Sequence, residues 1–362
     1  MGPMTRTLVI GQKADAVTEW AISPFRYFKP LLRLRLGMRV QIERSEGLHD
    51  LRGLIEKNPS DLVFITTNWK DSAEDTLALF KELDAMPRRP RLVYLDTFDQ
   101  VSSPLFGLMP HVDLYMKKQI YRQLAEYSRD YGGGLVTSDY VSRQFGHDLG
   151  DWYFGSPIPS GCEEKLWLSW NLGTATELLS YFARSWGGRL VPWAKREVAV
   201  HYRVSLSKVE DWYSVHRVRL GEALRAASPH IPGKTVIGVG PEDRVPMEQF
   251  VREMKHTKIA VSPFGWGEVT DRDFRVVSEG ALLMKPDVSH ITTEPNIYEP
   301  FRTYVPFQWD GSDLLERCRY YLEHPVAAQR ITKAARKAYF DWFKELRFIG
   351  RIQDVLEHLH LN

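Results

Sequence analysis

Short apolar runs recur through the first third of the chain, each separated from the next by enough residues for a helix. They are Thr7-Leu-Val-Ile-Gly11, Arg39-Val-Gln-Ile-Glu43, Asp61-Leu-Val-Phe-Ile-Thr66, Arg91-Leu-Val-Tyr-Leu-Asp96 and Val112-Asp-Leu-Tyr-Met116. Between them, stretches such as Ala73 to Leu83 place apolar residues at helical spacing. Short apolar strands alternating with helices predict a parallel sheet covered on both faces. Gly155-Ser-Pro-Ile-Pro-Ser-Gly161 interrupts this rhythm with the punctuation of a linker. A helix is expected from about Leu166 to Trp186, ended by Gly187-Gly188. Alternation then resumes, with strands at Glu197 to Arg203, Lys234 to Gly240, Lys258 to Ser262, Ala281 to Met284 and Thr303 to Phe307. Helices are expected at Ser214 to Ala227, Met247 to Met254 and Asp313 to Leu322, and Ala327 to His360 reads as largely helical.

The pattern divides the chain into a Rossmann-like α/β unit at 1–160, a linker helix at 161–190, a second Rossmann-like unit at 191–340 and a C-terminal helix at 341–362 placed to cross back onto the first unit. A length of 362 residues suits two domains rather than one core. Hydrophobic content of 43% and charged content of 26% are those of a globular chain. The net charge of +2 points to no nucleic-acid partner. Cys162 and Cys318 lie far apart, so neither a metal knuckle nor a disulfide framework is expected. No apolar stretch is long enough for a transmembrane helix, and none reads as a secretory leader; Met1-Gly-Pro looks like an added start before a native Met4. Cytoplasmic location is the expectation.

The strand Lys258 to Ser262 runs into Ser262-Pro-Phe-Gly-Trp-Gly-Glu268, followed by Asp271-Arg-Asp-Phe-Arg275 and Glu279-Gly-Ala-Leu-Leu-Met-Lys-Pro286. Gly265 and Gly267 let a backbone approach a ligand closely, and amides at the next helix start favour anions. Arg272 would add a phosphate partner. The loop therefore reads as a phosphate site.

At these residues the chain resembles the GT-B glycosyltransferases, in flavour nearest the exostosin-like and spore-maturation-like bacterial members. The likeness rests on the Ser262 to Glu268 loop, the Arg272-Asp-Phe274 helix start, Gly280-Ala-Leu-Leu-Met-Lys-Pro-Asp287 with His290, His216-Arg217, and Tyr304-Val-Pro-Phe-Gln-Trp-Asp310. It spans roughly Glu197 to Phe343; the first half shares only the strand–helix rhythm. The resemblance implies two Rossmann-like domains facing a cleft, the second binding a nucleotide-sugar donor and the first the acceptor, which would be a glycan, a lipid-linked saccharide or another molecule. It implies donor contacts from Arg203, Ser262, Pro263, Gly265, Trp266, Gly267, Arg275, Glu279, Gly280, Lys285 and His290. One departure stands out: where the family usually carries a ribose-binding glutamate, this chain has Arg275. Glu279 or Glu268 would then take that role, or Arg275 binds a phosphate or an acidic sugar.

Glycosyl transfer builds negative charge on a leaving phosphate, which arginine forks and helix-terminal amides stabilise. Arg272 is the leading candidate, ahead of Arg203 and Lys285 at predicted strand ends; a surface ion pair with Asp271 or Asp273 is the plainer alternative. Asp96 and Asp99, just past a strand end, and Glu268 are candidate bases for an inverting reaction, although capping of the next helix or turn is the favoured reading of each aspartate taken alone. His201 reads as a satisfied strand residue. Asp271-Arg-Asp273 has the letters of a metal-binding motif but opens a helix beside the phosphate loop, so no metal and no other cofactor is expected. Trp69, Trp152, Trp212 and Trp266 fall in predicted loops, where they could stack on sugar rings or pack between domains. The basic–apolar segment Phe25 to Leu36 reads as a packed helix, with peripheral contact to an anionic membrane surface as the alternative. A nucleotide-sugar epimerase on the same frame and a non-catalytic nucleotide- or glycan-binding protein are the competing functional readings.

Overall fold

The computed structural model describes residues 4–13, 15–187, 190–206 and 211–361. Residues 1–3, expected to be an added start, and Gly188, expected to help end a helix, lie outside these residues. In the first half the strands are Thr5–Gln12 (β1), Met38–Ser45 (β2), Leu62–Ile65 (β3), Arg91–Asp96 (β4), Leu114–Lys117 (β5), Gln119–Tyr121 (β6) and Leu166–Leu168 (β7). Its helices are Ala16–Tyr27 (α1), Lys29–Leu36 (α2), Leu48–Lys57 (α3), Ala73–Asp84 (α4), Val136–Phe145 (α5) and Thr176–Gly187 (α6). The second half carries strands Val198–Val204 (β8), Lys234–Val239 (β9), Thr257–Val261 (β10), Leu282–Pro286 (β11), Ile291–Thr293 (β12) and Val305–Phe307 (β13). Its helices are Trp212–Ala227 (α7), Met247–Lys255 (α8), Asp271–Glu279 (α9), Leu314–Glu323 (α10), Pro325–Lys344 (α11) and Arg347–His358 (α12).

Two parallel sheets result, ordered β2-β1-β3-β4-β5-β7 and β13-β11-β10-β8-β9. Counted from the first strand of each sheet, both begin with the order 2-1-3-4-5 of a doubly wound fold. The strands β3, β4 and β11 are buried along nearly their whole length, as parallel strands covered by helices on both faces must be. The α/β class with two Rossmann-like domains is thus the observed architecture.

Two differences from the sequence reading matter. The helix expected from Leu166 begins only at Thr176, because Leu166-Trp-Leu168 pairs in parallel with Tyr115 to Lys117 and extends the first sheet. The proline-rich linker at 155–161 therefore lies inside the first domain and not at its end. Second, β6 and β12 form an antiparallel pair, Gln119 to Tyr121 against Thr293 to Ile291, which ties the two domains together. The pairing is too short to show as a pattern in sequence.

The domains share their interior. One apolar cluster joins Val101, Tyr121, Leu135 and Val141 of the first half to Phe264, Phe274 and Val276 of the second. The last helix, α12, seats Phe348, Ile352, Val355 and Leu356 among Val9, Phe25 and Phe64 of the first domain. Phe25, Phe28 and Leu32 of the basic–apolar segment join that same cluster, while Arg33, Leu34 and Arg35 stay exposed. Among the described residues no helix is long and apolar enough to cross a membrane.

Candidate functional site

A cleft of about 430 Å³ opens at the carboxyl ends of β8 and β9, against the first turns of α8 and α9. Its walls include Arg203, Arg244, Arg272 and Arg275, against only two carboxylates, Asp243 and Asp271. Both carboxylates are engaged: Asp271 pairs with Arg275 at 3.2 Å, and Asp243 accepts the Val239 amide at 2.8 Å. Arg203 is held side-on by Glu253, with Nε at 2.7 Å and a terminal nitrogen at 3.0 Å, and also donates to the Asp243 carbonyl. Burial raises the Glu253 carboxyl, but hydrogen bonds from His201, Arg203 and Gln249 outweigh it and hold the group well below the usual range. His201, buried beside it, is therefore the satisfied strand residue expected from sequence.

The Arg272 and Arg244 guanidinium groups make no hydrogen bond to a described residue. Burial draws Arg272 down from its ordinary 12.5, with Asp271 the main opposing charge; a guanidinium starting from that value stays cationic at neutral pH. Arg272 stands in the first turn of α9, whose cap is built by Thr270 and Asp273. The amides of that turn and the unneutralised guanidinium point one way electrostatically: toward an anion. Arg275 also lines the cleft and lies over the Tyr181 ring at 5.4 Å.

The glycine loop is braced from beneath. Lys285 and Asp273, both fully buried, pair at 3.2 Å, and Lys285 also donates to the Pro263 carbonyl. Ser262 and Tyr298 donate to the Asp273 carboxylate at 2.5 and 2.8 Å. Arg217 donates from the far side to the carbonyls of Phe264 and Ser205, joining the loop to the end of β8. Ser262, Pro263 and Lys285 thus meet protein partners in the interior, whereas Arg203, Arg272 and Arg275 meet in the cleft. Glu279 is buried, accepting from Tyr181 at 2.6 Å. Gly280 closes α9 at φ +68°, a left-handed position where glycine is nearly strain-free. Of the aspartates in the metal-like motif, one pairs with Arg275 and the other with Lys285, and among the described residues no group of three His, Cys, Asp or Glu side chains could hold a metal ion.

The remaining candidates sit at the seam between domains. Gly267 permits a close backbone approach, but its neighbour is the Asp99 carbonyl of the first domain, with which any Cβ would collide. Trp266 is 44% exposed and leans on Tyr213. Asp99 is paired with Lys118 at 2.6 Å. Asp96 is closed off in the first domain's core, accepting from Tyr115 at 2.6 Å and pairing with Lys117. Glu268, only 1% exposed, accepts from Gln119 through Oε2, while its Oε1 has no hydrogen-bond partner and lies 3.7 Å from His290 Nε2. Trp212, read as a loop residue, is the first residue of α7 and is buried, and Trp69 remains half exposed.

Sequence reading passed over Arg244, Glu253 and Gln119. Arg244 had a usable signal, since Gly240-Pro-Glu-Asp-Arg244 directly follows a predicted strand, where open α/β sheets place ligand loops. Glu253 and Gln119 had none, because their partners are remote in sequence.

Residues 217–356 match the family described as glycosyl transferase-like. No curated protein sequence matches the chain. Among solved structures, an alpha-glucosyltransferase in complex with UDP-glucose and DNA containing an abasic site aligns over 96% of this chain and 100% of its own, with TM-score 0.51 and 8% identity. MnaA of S. aureus, solved with UDP, aligns over 99% and 98%, with TM-score 0.50 and 9% identity. A glycosyltransferase from Rickettsia africae ESF-5 aligns over 98% and 99%, with TM-score 0.50 and 11% identity. These likenesses establish the fold along the full chain.

Proposed function

We propose that this chain, a GT-B protein whose second domain carries the glycosyl transferase-like family, moves a sugar from a nucleotide-sugar donor to an acceptor hydroxyl. The observation that carries the reading is the arginine-lined cleft beyond β8 and β9, with Arg272 and Arg244 free of hydrogen-bond partners among the described residues. Of the four guanidinium groups there, Arg203 is paired with Glu253 and Arg275 with Asp271, which leaves the charges of Arg272 and Arg244 suited to a diphosphate. The complexes of similar folds with UDP and UDP-glucose support the same class of ligand.

In this reading the diphosphate lies across Arg203 and Arg272, with the first amides of α9 at its oxygens. As the sugar–phosphate bond breaks, charge grows on the leaving diphosphate, and contacts that strengthen with that charge lower the barrier. Arg203 is held in place by Glu253, so little reorganisation is needed. The arginines supply the positive charge that a divalent ion supplies in other transferases, and the reaction proceeds without a resident metal. Glu268, with a free carboxylate oxygen at the interdomain seam and His290 beside it, is the base available to an acceptor hydroxyl. The acceptor is a glycan, a lipid-linked saccharide or another hydroxyl-bearing molecule.

Calorimetry with UDP, GDP and CMP, followed by assay of nucleoside diphosphate release from their sugars, tests the proposal. Binding of one nucleotide, acceptor-dependent release and insensitivity to EDTA are expected. Arg272→Ala should lower kcat/KM by about 100-fold, the loss typical of one transition-state contact. Full turnover in that variant would remove Arg272 from the site.

A further inference from the structure

Helix α2 has two unlike faces. Inward, Phe28 and Leu32 pack in the apolar cluster of the first domain, where Phe28 stacks on Phe348 of α12 at 5.4 Å. Tyr27, at the end of α1, also turns inward and donates to the Thr174 carbonyl at 2.6 Å. Outward, Lys29, Pro30, Arg33, Leu34 and Arg35 are exposed, Leu34 to 80%. Residues four apart share a helix face. Lys29 and Arg33 therefore form a cationic row, with Pro30 and Leu34 as an apolar row beside it.

The charge around this face is one-sided. Residues 20–42 hold Arg26, Lys29, Arg33, Arg35 and Arg39 without one aspartate or glutamate, in a chain whose net charge is only +2. Among the described residues the Lys29, Arg33 and Arg35 side chains make no ion pair and no hydrogen bond. Neighbouring cations differ: Arg26 and Arg44 are both held by Glu19. Glu345 and Asp354, which line a cavity together with Arg35, are engaged instead by Arg347 and Arg351. Three cations on one short helix thus face solvent with their charge unneutralised.

We propose that the outer face of α2 docks the protein on an anionic phospholipid surface. Lys29, Arg33 and Arg35 meet the headgroup phosphates, and Leu34 and Pro30 enter the boundary with the acyl chains. None of these residues lines the arginine cleft, so the inference stands apart from the glycosyl-transfer reading. Because the inner face is already packed, docking requires no refolding of the helix. Each cation brought to such a surface gains about fivefold in partitioning, so three give on the order of a hundredfold over a neutral one. Salt screens that gain. A nucleic-acid backbone would also attract the cations, but single strands add stacking on aromatic rings. Here Phe25, Tyr27 and Phe28 all turn inward, and the side chains left beside the cations are aliphatic. That combination fits a bilayer.

Co-sedimentation of the full chain with vesicles tests the proposal, comparing pure phosphatidylcholine with an equal mixture of phosphatidylcholine and phosphatidylglycerol. Partitioning onto the mixed vesicles should be about a hundredfold greater at low ionic strength and should fall steeply as salt is added. Lys29→Glu combined with Arg33→Glu should reduce it to the level of the neutral vesicles, with the far-UV circular dichroism unchanged. Arg33→Gln, a milder variant should the double reversal fold poorly, should lower it about fivefold. Leu34→Ser should weaken partitioning roughly threefold while leaving its salt dependence as it was. Equal binding to both vesicle types, or undiminished binding by folded charge variants, overturns the proposal. So does a duplex DNA oligonucleotide that strips the wild-type protein from the mixed vesicles and loses its own binding in the same variants, since the face would then belong to nucleic acid.

Discussion

At the scale of single residues, burial and partners separate groups that look alike in sequence. Lys285 and Arg272 both follow glycine-rich or strand-end signals, yet Lys285 is wholly buried against Asp273 while Arg272 faces the cleft. Lys285→Met would leave the Asp273 carboxylate buried without its cation, a change that typically costs about 3–5 kcal/mol. Urea titration should show that loss with UDP affinity per folded molecule largely kept, whereas Arg272→Ala should leave stability near wild type. His216 makes a pH prediction. Burial drives its pKa from an ordinary 6.5 down to about 4, with Arg217 and Lys285 acting in the same direction and the Trp309 carbonyl against them. The unfolded chain therefore takes up this proton first as pH falls. Stability from this group is fully present above about pH 6.5 and drains as pH drops toward 4, by on the order of 3 kcal/mol. His216→Gln should flatten that part of the stability curve in urea titrations at pH 7 and pH 5.

At the scale of elements, helix ends and strand ends set the geometry of the cleft. α9 starts on the Thr270–Asp273 capping box and stops on Gly280 in the left-handed region. Gly280→Ala carries a backbone penalty of roughly 1–2 kcal/mol, and the added methyl would also meet Leu190 at 2.8 Å. A thermal melt should register this, and because the strain falls at the far end of α9 the nucleotide Kd should barely move. Much of this level was legible: the strands of both sheets and the helices flanking the glycine loop follow from apolar runs and turn residues. Leu166 to Leu168 was read as helix because three apolar residues have no period of their own; only the open edge of β5 makes them a strand. The β6–β12 pair was invisible for a similar reason, each strand being three residues long and its partner in the other domain.

At the scale of the whole molecule, the two domains are joined by more than a linker. The β6–β12 ladder, the Gly267–Asp99 contact and a shared apolar cluster cross the seam. α12 returns to the first domain, where Phe348, Ile352, Val355 and Leu356 are buried. Each such side chain contributes about 1.5–3 kcal/mol, so together they rival the 5–15 kcal/mol that holds a typical domain folded. Deleting residues 347–362 should therefore give a protein that fails to fold, seen as lost near-UV circular dichroism and insolubility.

The chain alone determined the alternation of strands and helices, the doubled α/β layout and the loop from Ser262 to Glu268, because hydrophobic period and turn chemistry are local. It also placed Arg203, Arg272 and Arg275 near strand and helix ends, where they do line the cleft. What only the tertiary structure decided is direction and pairing. Ser262, Lys285 and Glu279 turn inward because Asp273 and Tyr181 meet them there, and Asp96 is closed off by Lys117 and Tyr115. The seam with its unsatisfied Glu268, His290 and His216 likewise exists only once the domains close, since an unpaired atom is defined by the neighbours that folding brings or fails to bring.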